Sequence, residues 1–317
     1  EGERLIFKIL KSGDFLKGID GKDFDYLNLG PKIVDKALRY DLTVPFARYV
    51  VQNQNNINIP FKRYQIQNVW RADRPQKGRY REFLQCDADV IGSKSMMQEI
   101  DFISLFDSVF NDLNIEGCVI KINSRKLLLA ICEINNCLDK FGILTNQLDK
   151  LDKTDANVVK NNLIDNGFDN KIIDSLFEII KLSKNFNDNL EEMKLYFKSS
   201  DIGLEAISDI EYIFNYFSKN KLTKSNLVFD IGLARGIDYY TGVIFEVLPP
   251  KTISLGSIAG GGRYDNLTEI FGLKNMSGIG ISFGLDRLFL VMDELKLFPV
   301  TSYNSVKVLI LNFGVSF

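Results

Sequence analysis

Residues 61–92 concentrate side chains that could act on a charged ligand: FKRYQIQNVWRADRPQKGRYREFLQCDADVIG. Pro75 and Gly78 interrupt two stretches of β-forming residues, which predicts two strands joined by a turn-rich loop. The loop is strongly basic, with cations at Arg74, Lys77, Arg79 and Arg81. At the end of a polar sheet face these cations suit a polyphosphate or an RNA backbone. The alternative interpretation of such a loop is a solvated hairpin tip.

Alternation along the two predicted strands separates an apolar face from a polar one, because successive strand side chains point to opposite sides. The apolar face contains Tyr64, Ile66, Trp70, Leu84, Cys86, Ala88 and Val90. The polar face contains Arg63, Gln65, Gln67, Arg71, Phe83, Gln85, Asp87 and Asp89. Burying amides and charges is costly without polar partners. We therefore expect the apolar face to pack on helices and the polar face to meet a polar ligand.

Glycine-rich segments further along the chain could complete such a site. They are NLVFDIGLARGIDYYTGVIFEVLPP (226–250), GSIAGGGRYDNL (256–267) and SGIGISFGLDRLFLVMDEL (277–295). Glycine lets the backbone approach a ligand closely, and Arg235 places a permanent positive charge in the first segment. No GK[ST] follows the glycines, so they do not form a Walker phosphate loop. Arg287 lies in the first turn of a predicted helix, where a cation is mildly unfavourable, so a ligand role explains it better than a structural one.

Composition excludes several kinds of chemistry. The 317 residues contain no histidine, which excludes Ser-His-Asp, Cys-His and His-ligated metal sites within them. The cysteines lack CxxC spacing and are predicted to be reduced structural thiols: Cys86, Cys118, Cys132 and Cys137. A net charge of −2 does not indicate a general nucleic-acid binder. No apolar run is long enough to span a bilayer and no signal peptide opens the chain, so a cytoplasmic protein is expected.

The motifs resemble those of one enzyme family. Arg71-x-Asp73, the basic loop and Phe83 resemble motif 2 of the class II aminoacyl-tRNA synthetases, and residues 277–295 resemble motif 3. RPQKGRYREF (74–83), LARGIDYYTG and AGGGRYDNL are specifically similar to histidyl-tRNA synthetases. Asp41-x-Thr43 is similar to the acidic-x-Thr element of that family, although in isolation these two residues are better explained as helix caps.

The resemblance implies ATP-dependent activation of L-histidine, with Mg²⁺, followed by transfer to tRNA(His). It implies that Arg71 and Arg235 act on the α-phosphate as the catalytic residues, Arg235 in place of a magnesium ion. The implied ATP-binding residues are Arg71, Asp73, Arg79, Phe83 and Arg287. The implied histidine-binding residues are Asp41, Thr43 and Gln85 for the ammonium, and Asp89, Tyr239 and Tyr240 around the imidazole. No metal ligand comes from histidine or cysteine, and no Mg²⁺ ligand is identified.

The expected fold is α+β, with a mainly antiparallel sheet flanked by helices and an inserted helical domain. No βαβ dinucleotide fingerprint is present, so a Rossmann fold is not expected. We predict two catalytic parts, 1–138 and 224–302, around a helical insertion at 139–223, with an anticodon-binding domain starting at 303–317. Motif 1 is not found and most of the implied anticodon-binding domain is missing, so the sequence is expected to be truncated at both ends. A homodimer with no membrane contact is expected.

Two other interpretations remain open. The chain could be a non-catalytic paralogue that serves as a regulatory subunit in histidine biosynthesis. Such paralogues usually lose the arginines of the ATP site, whereas Arg71, Arg79, Arg235 and Arg287 are present here. The chain could also be another class II synthetase, which should lack ARGIDYYTG.

Overall fold

A computed structural model describes residues 2–151, 154–234 and 239–299, together with residues 308, 309, 311 and 314. Within these residues the strands are β1 (Lys8–Leu10), β2 (Val34–Ala37), β3 (Phe61–Trp70), β4 (Glu82–Ile91), β5 (Cys118–Ser124), β6 (Ser225–Phe229), β7 (Val243–Leu248), β8 (Ala259–Tyr264) and β9 (Gly278–Gly284). The α-helices are α1 (Gly2–Leu5), α2 (Tyr26–Ile33), α3 (Thr43–Gln52), α4 (Met97–Asp112), α5 (Arg125–Ile134), α6 (Phe141–Leu148), α7 (Ala156–Asp165), α8 (Asn170–Ser183), α9 (Leu190–Tyr196), α10 (Asp201–Lys219) and α11 (Leu285–Glu294).

A seven-stranded sheet in the order β3-β4-β9-β8-β7-β5-β6 forms the centre of the molecule. Its neighbouring strands are antiparallel except for β5 and β6, which run parallel. Strands β1 and β2 form a separate two-stranded sheet. The predicted hairpin is therefore present as β3 and β4, and the mainly antiparallel sheet is confirmed.

One face of the seven-stranded sheet packs on helices, as the alternation predicted for β4. Its apolar side chains join α4 and α5 in one buried cluster that includes Phe106, Ile120 and Phe283. On β3 the outcome differs, because this strand lies at the sheet edge. Tyr64 and Ile66 stay 82% and 59% exposed, so that part of the predicted apolar face has no helix over it.

Helices α6 to α10 follow α5 along the chain and precede β6. They do not form a separate core, since buried side chains of α8 and α10, such as Ile179 and Ile210, belong to the cluster that also covers the sheet. Residues 139–223 are thus helical where the structure describes them, and α10 packs on α5 and on β5 of the seven-stranded sheet. Within the described residues no helix combines the length and apolarity needed to cross a bilayer.

The N-terminal segment forms the short helix Gly2–Leu5 and then strand β1 over Lys8–Leu10. The predicted start of an anticodon-binding domain at 303–317 falls mostly outside the described residues. The four cysteines are free thiols, as predicted.

A buried ion pair joins α4 to β8 on the helix-covered face of the sheet. Arg263 donates from Nε to Glu99 Oε1 over 2.5 Å and from its second terminal nitrogen to Glu99 Oε2 over 2.6 Å. The side chains are only 7% and 0% exposed. Arg263 also donates to the Ser277 hydroxyl and to the carbonyl oxygens of Ser93 and Ser95. One guanidinium therefore connects α4, β8 and the loops beside β4 and β9.

We predict that Arg263→Met lowers the free energy of unfolding by about 3–5 kcal/mol, because Glu99 is left charged and buried without its partner. The measurement is urea unfolding of both proteins at pH 7. The control is the double variant Arg263→Met with Glu99→Leu, which removes the stranded charge and should recover part of the loss. A single variant as stable as the parent would contradict this role for the pair.

Candidate active site

The face of the sheet away from α4 carries rows of polar side chains that run from strand to strand, with glycines among them. Asp87 lies opposite Ser282, which lies opposite Gly260 and then Glu246 on β7. A parallel row runs from Arg63 through Asp89 to Gly280. This is the arrangement that alternation predicts for the polar face of β3 and β4, and it extends over three further strands, β9, β8 and β7.

A cavity of about 260 Å³ opens over this face, between the β3–β4 hairpin and the start of α11. It is lined by all five predicted ATP-binding residues, by Gln85 and Tyr240, and by residues that the sequence analysis did not select: Gly78, Tyr80, Ser257, Ile258, Ala259, Gly260, Ser282, Gly284 and Asp286. The predicted nucleotide residues therefore lie together, although they come from distant parts of the chain.

The two predicted motif arginines are held by main-chain oxygens and aromatic rings. Arg71 donates to the Tyr40 carbonyl over 3.1 Å and to Gln85 Oε1 over 3.2 Å, and its guanidinium lies 5.2 Å from the centre of the Phe83 ring. Arg287 donates from Nε to the Gly78 carbonyl over 2.7 Å and from a terminal nitrogen to the Ser257 carbonyl. Arg287 thus ties α11 to the hairpin tip and to the segment before β8.

The hairpin tip is a small turn that presents its cations to solvent and to the cavity. Gln76 and Arg79 exchange two backbone hydrogen bonds, of 3.1 and 2.9 Å, around Lys77 and Gly78. Arg79 is half exposed and its guanidinium lies 3.8 Å from the Asp73 carboxylate. Arg81 instead donates to the Asp73 carbonyl over 3.2 Å and does not line the cavity.

Asp41 and Thr43 lie at the start of α3, beside the tyrosine pair. Asp41 is buried, and its Oδ1 accepts from the Val44 backbone N–H over 3.3 Å, so it caps the first turn from the position before the N-cap residue, Leu42. Burial raises the pKa of Asp41, against the opposing effects of that hydrogen bond and of Arg71 and Arg63. Thr43 is the first residue of α3 rather than its cap, and it is hydrogen-bonded to Tyr239.

Asp89 is buried beneath the cavity rather than on its surface. It is 2% exposed, its Oδ1 accepts from the Tyr264 hydroxyl over 2.7 Å, and its Oδ2 lies 3.0 Å from the Arg63 guanidinium. A Cβ on Gly280 would lie 2.0 Å from Asp89 Oδ1, so glycine is required opposite this carboxylate. The two partners of Asp89, Arg63 and Tyr264, have no role predicted from the sequence.

Tyr240 lines the cavity and Tyr239 packs behind it, with the ring centres 4.9 Å apart. A Cβ on Gly262 would lie 2.9 Å from the Tyr240 ring, so this glycine allows the ring to lie directly on the sheet. Burial, and then the negative charge of Asp89, raises the pKa of Tyr240 and keeps its phenol protonated. Arg235 of the same segment lies outside the described residues.

Ser282 and Tyr264 belong to the site but were not predicted, because the sequence indicates their positions only weakly. Ser282 alternates with Gly280 and Gly284 in residues 277–295, and this parity places it on the face opposite Ile281 and Phe283. Tyr264 follows the glycines of AGGGRYDNL, yet its contact with Asp89 depends on β8 and β4 both flanking β9. That adjacency is not visible in either segment alone.

Comparison with known proteins identifies the family of this chain. The model of the family described as histidyl-tRNA synthetase matches residues 34–288. The chain belongs to this family. A histidine–tRNA ligase of Christiangramia forsetii is 54% identical over 318 residues, which cover 99% of this chain and 70% of that protein. A histidine–tRNA ligase of Bacteroides fragilis is 48% identical and is covered over 69% of its length.

Solved structures share the fold. The crystal structure of histidyl-tRNA synthetase from Nostoc sp. PCC 7120 superposes with a TM-score of 0.74 at 29% identity, covering 83% of this chain and 61% of that one. A Bacillus halodurans protein titled as an ATP phosphoribosyltransferase regulatory subunit/histidyl-tRNA synthetase gives a TM-score of 0.73 at only 18% identity, which shows the fold alone. The predicted α+β fold and family are confirmed, and the regulatory paralogue is the less supported alternative.

Buried carboxylates make the stability of this synthetase fold depend on pH. Burial raises the pKa of Asp89 to about 7 and that of Asp87 to about 6, from a usual value of 3.8. Between pH 4 and 7 the folded chain therefore holds protons that the unfolded chain has released. The stabilisation is fully present below pH 3.8 and is lost as pH rises through 6 and 7.

We predict that Asp89→Asn flattens this dependence. In the parent chain each proton contributes up to about 1.4 kcal/mol of unfolding free energy per pH unit over the window, and the variant lacks one of them. Urea unfolding at half-unit steps from pH 5 to 8 measures the slopes. Asp101→Asn, at a half-exposed carboxylate on α4, should retain the parent slope. Equal slopes for the parent and Asp89→Asn would refute the assignment.

Proposed function

We propose that this chain activates L-histidine with ATP to form histidyl-adenylate and pyrophosphate, and transfers the histidyl group to tRNA(His). The observation that carries the proposal is one cavity whose outer end is cationic, with Arg71, Arg79 and Arg287, and whose inner end reaches Gln85 and Tyr240 above buried carboxylates. A polyanion suits the first end and an ammonium group suits the second. The family membership and the names of the curated relatives support the same activity.

The reaction needs no nucleophile from the protein. The histidine carboxylate attacks the α-phosphorus in line, and pyrophosphate leaves with the electron pair of the broken P–O bond. A terminal ribose hydroxyl of the tRNA then attacks the carbonyl carbon of the adenylate, and AMP leaves. Catalysis by this chain consists of holding the two substrates in line and stabilising negative charge that develops at the α-phosphate.

At the nucleotide end, Arg71 would contact the α-phosphate and Arg79 the polyphosphate tail. Arg287 would lie on the adenine opposite Phe83, and both side chains line the cavity. Arg235, which lies outside the described residues, is proposed from the sequence motif as the second cation at the α-phosphate. Its permanent charge would stabilise the pentacovalent transition state without a proton transfer.

Magnesium would enter this site with ATP. Mg²⁺ in nucleotide sites keeps several waters and is held by one or two carboxylates together with substrate phosphates. Asp73 and Asp286 are the carboxylates that line the cavity in the described part of the chain, so the residues present fit a phosphate-borne ion. Bound there, it would neutralise charge on the leaving pyrophosphate. Asp286 also accepts from the Leu84 backbone N–H over 3.0 Å, which fixes its orientation.

At the amino-acid end, Asp41, Thr43 and Gln85 would hold the histidine ammonium. Asp89 and Tyr240, backed by Tyr239, would recognise the imidazole. In the structure Asp89 is paired with Tyr264 and Arg63, and its charge acts on Tyr240. Recognition of the second ring nitrogen would then pass through the Tyr240 hydroxyl, which can donate or accept.

Surface features support a proposal for the wider assembly. The exposed cations of the hairpin tip would contact the acceptor end of tRNA(His) through phosphates. Exposed Tyr64 and Ile66 on edge strand β3 support a homodimer that covers them.

We also propose that residues 1–138 and 224–302 form the catalytic domain, that 139–223 are its insertion and that 303–317 begin an anticodon-binding domain. The protein would act in the cytoplasm.

Histidine-dependent exchange of labelled pyrophosphate into ATP tests the activity directly. The purified chain is expected to catalyse exchange with L-histidine and Mg²⁺, and not with leucine, glutamine or phenylalanine at equal concentration. Because exchange reports adenylate formation without tRNA, it isolates the chemistry of this cavity. Absence of histidine-dependent exchange at every Mg²⁺ and ATP concentration tried would refute the proposal.

Arg79→Ala is predicted to raise the KM for ATP by about tenfold or more, because a charge-assisted contact with the polyphosphate is lost. The KM for histidine should stay unchanged. Arg81→Ala is the matched control, since it removes the same charge from the same hairpin but does not line the cavity. Equal effects of the two substitutions on the ATP KM would show that the hairpin acts only through its net charge.

A further inference from the structure

Asp87 is a buried carboxylate that lies behind the cavity and has no role in the site assigned above. It sits on β4 between Gln85 and Asp89 in the alternating polar row and is only 3% exposed. It does not line the cavity. Its neighbours Gln85 and Ser282 do line it, so any influence on the substrate must pass through them.

The contacts of Gln85 show how that influence is transmitted. Gln85 Nε2 donates to Asp87 Oδ1 over 3.3 Å and to the Ser282 hydroxyl oxygen over 2.8 Å. Ser282 is itself hydrogen-bonded to the Asp87 carboxylate. On the other side of the amide, Gln85 Oε1 accepts from the Arg71 guanidinium over 3.2 Å. The amide is therefore held between a carboxylate and a guanidinium.

These neighbours allow a single orientation of the Gln85 amide. An ionised carboxylate only accepts hydrogen bonds and a guanidinium only donates them. Turning the amide over would place Oε1 against the Asp87 carboxylate and the NH₂ group against the Arg71 guanidinium. Both hydrogen bonds would be lost, and each end of the amide would face a group of the same charge sign. A carbonyl oxygen has two lone pairs, so Oε1 can serve Arg71 and still accept one further proton donor from the cavity.

We propose that Asp87 is a positioning residue that fixes the Gln85 amide with its oxygen towards the cavity, where it accepts from the substrate ammonium. This inference rests on the proposed function, since it assigns a cause to the amino-acid specificity of that site. Asp87 acts without touching the substrate. An asparagine at this position presents both a donor and an acceptor, and so it no longer dictates which way the Gln85 amide faces.

Two histidine analogues separate this role from a general effect on the pocket. Histidinol retains the ammonium and the imidazole but lacks the carboxylate, whereas 3-(imidazol-4-yl)propionate retains the ring and the carboxylate but lacks the ammonium. Calorimetric titration of the purified chain with each analogue gives Kd values that do not depend on catalysis. For Asp87→Asn we expect the Kd of histidinol to rise about tenfold, with the Kd of the propionate and the KM for ATP unchanged.

A double-variant comparison tests that Asp87 works through Gln85. Once Gln85→Ala has removed the amide, adding Asp87→Asn should weaken histidinol binding no further, because contacting residues in one network are not additive. Asp101→Asn serves as a charge-matched control and should bind both analogues like the parent. If Asp87→Asn does not fold, Ser282→Ala removes the other acceptor for Gln85 Nε2 and should weaken histidinol alone by a smaller factor.

The outcomes distinguish this inference from the proposed function. The role of Asp87 would be overturned if Asp87→Asn weakened the binding of both analogues equally or left histidinol binding unchanged. It would also be overturned if the losses of histidinol affinity were additive in the double variant. A parent chain that binds histidinol but shows no histidine-dependent exchange would overturn the proposed activity. The binding of the two analogues to Asp87→Asn would still decide the role of Asp87. A parent chain that binds neither analogue would overturn both.

Discussion

The two-point ion pair between Arg263 and Glu99 fixes helix α4 against strand β8 of the central sheet. It lies on the covered face of the sheet, and Arg263 continues through the Ser277 hydroxyl to Asp265, which accepts from Thr241 over 2.6 Å. A buried charge without its partner costs several kcal/mol, so displacement of α4 or of either loop is penalised. Tyr239 and Tyr240 precede Thr241, and the glycines of β8 precede Arg263. The position of the two tyrosines relative to these glycines on the opposite face of the sheet is therefore fixed.

That opposite face separates charge along a single cavity. The buried carboxylates of Asp41, Asp87 and Asp89 lie behind its inner end, and desolvation raises the pKa of each of them. A cation bound at that end would stabilise their ionised forms. The outer end is lined by guanidinium groups that suit phosphates. The contact between Arg71 and Gln85 marks the boundary, where an amino-acid carboxylate and an α-phosphate would have to meet.

Local pattern predicted much of this fold because strand alternation and motif spacing are local properties. The β3–β4 hairpin and its two faces followed from residues close in sequence. The five ATP-binding residues followed instead from the resemblance to a family, and one of them, Arg287, is distant in sequence from the other four. The exposed side of β3 did not, because edge position depends on strand order. The partners of Asp89 were likewise missed, since Arg63 and Tyr264 meet it only through the pairing of β3 with β4 and the adjacency of β8 and β9. Arg235 stays a prediction from sequence.

Asp41 shows why structural and functional interpretations of one residue need not compete. The sequence offered a helix cap or an ammonium ligand, and the structure shows the cap, with Oδ1 accepting from the Val44 N–H. An ionised carboxylate has two oxygens and about four acceptor positions, so one cap bond leaves acceptor capacity for a ligand. The cap also holds the side chain in place without immobilisation by the substrate. Folding has therefore already ordered the Asp41 carboxylate, and binding of an ammonium does not have to meet that entropic cost.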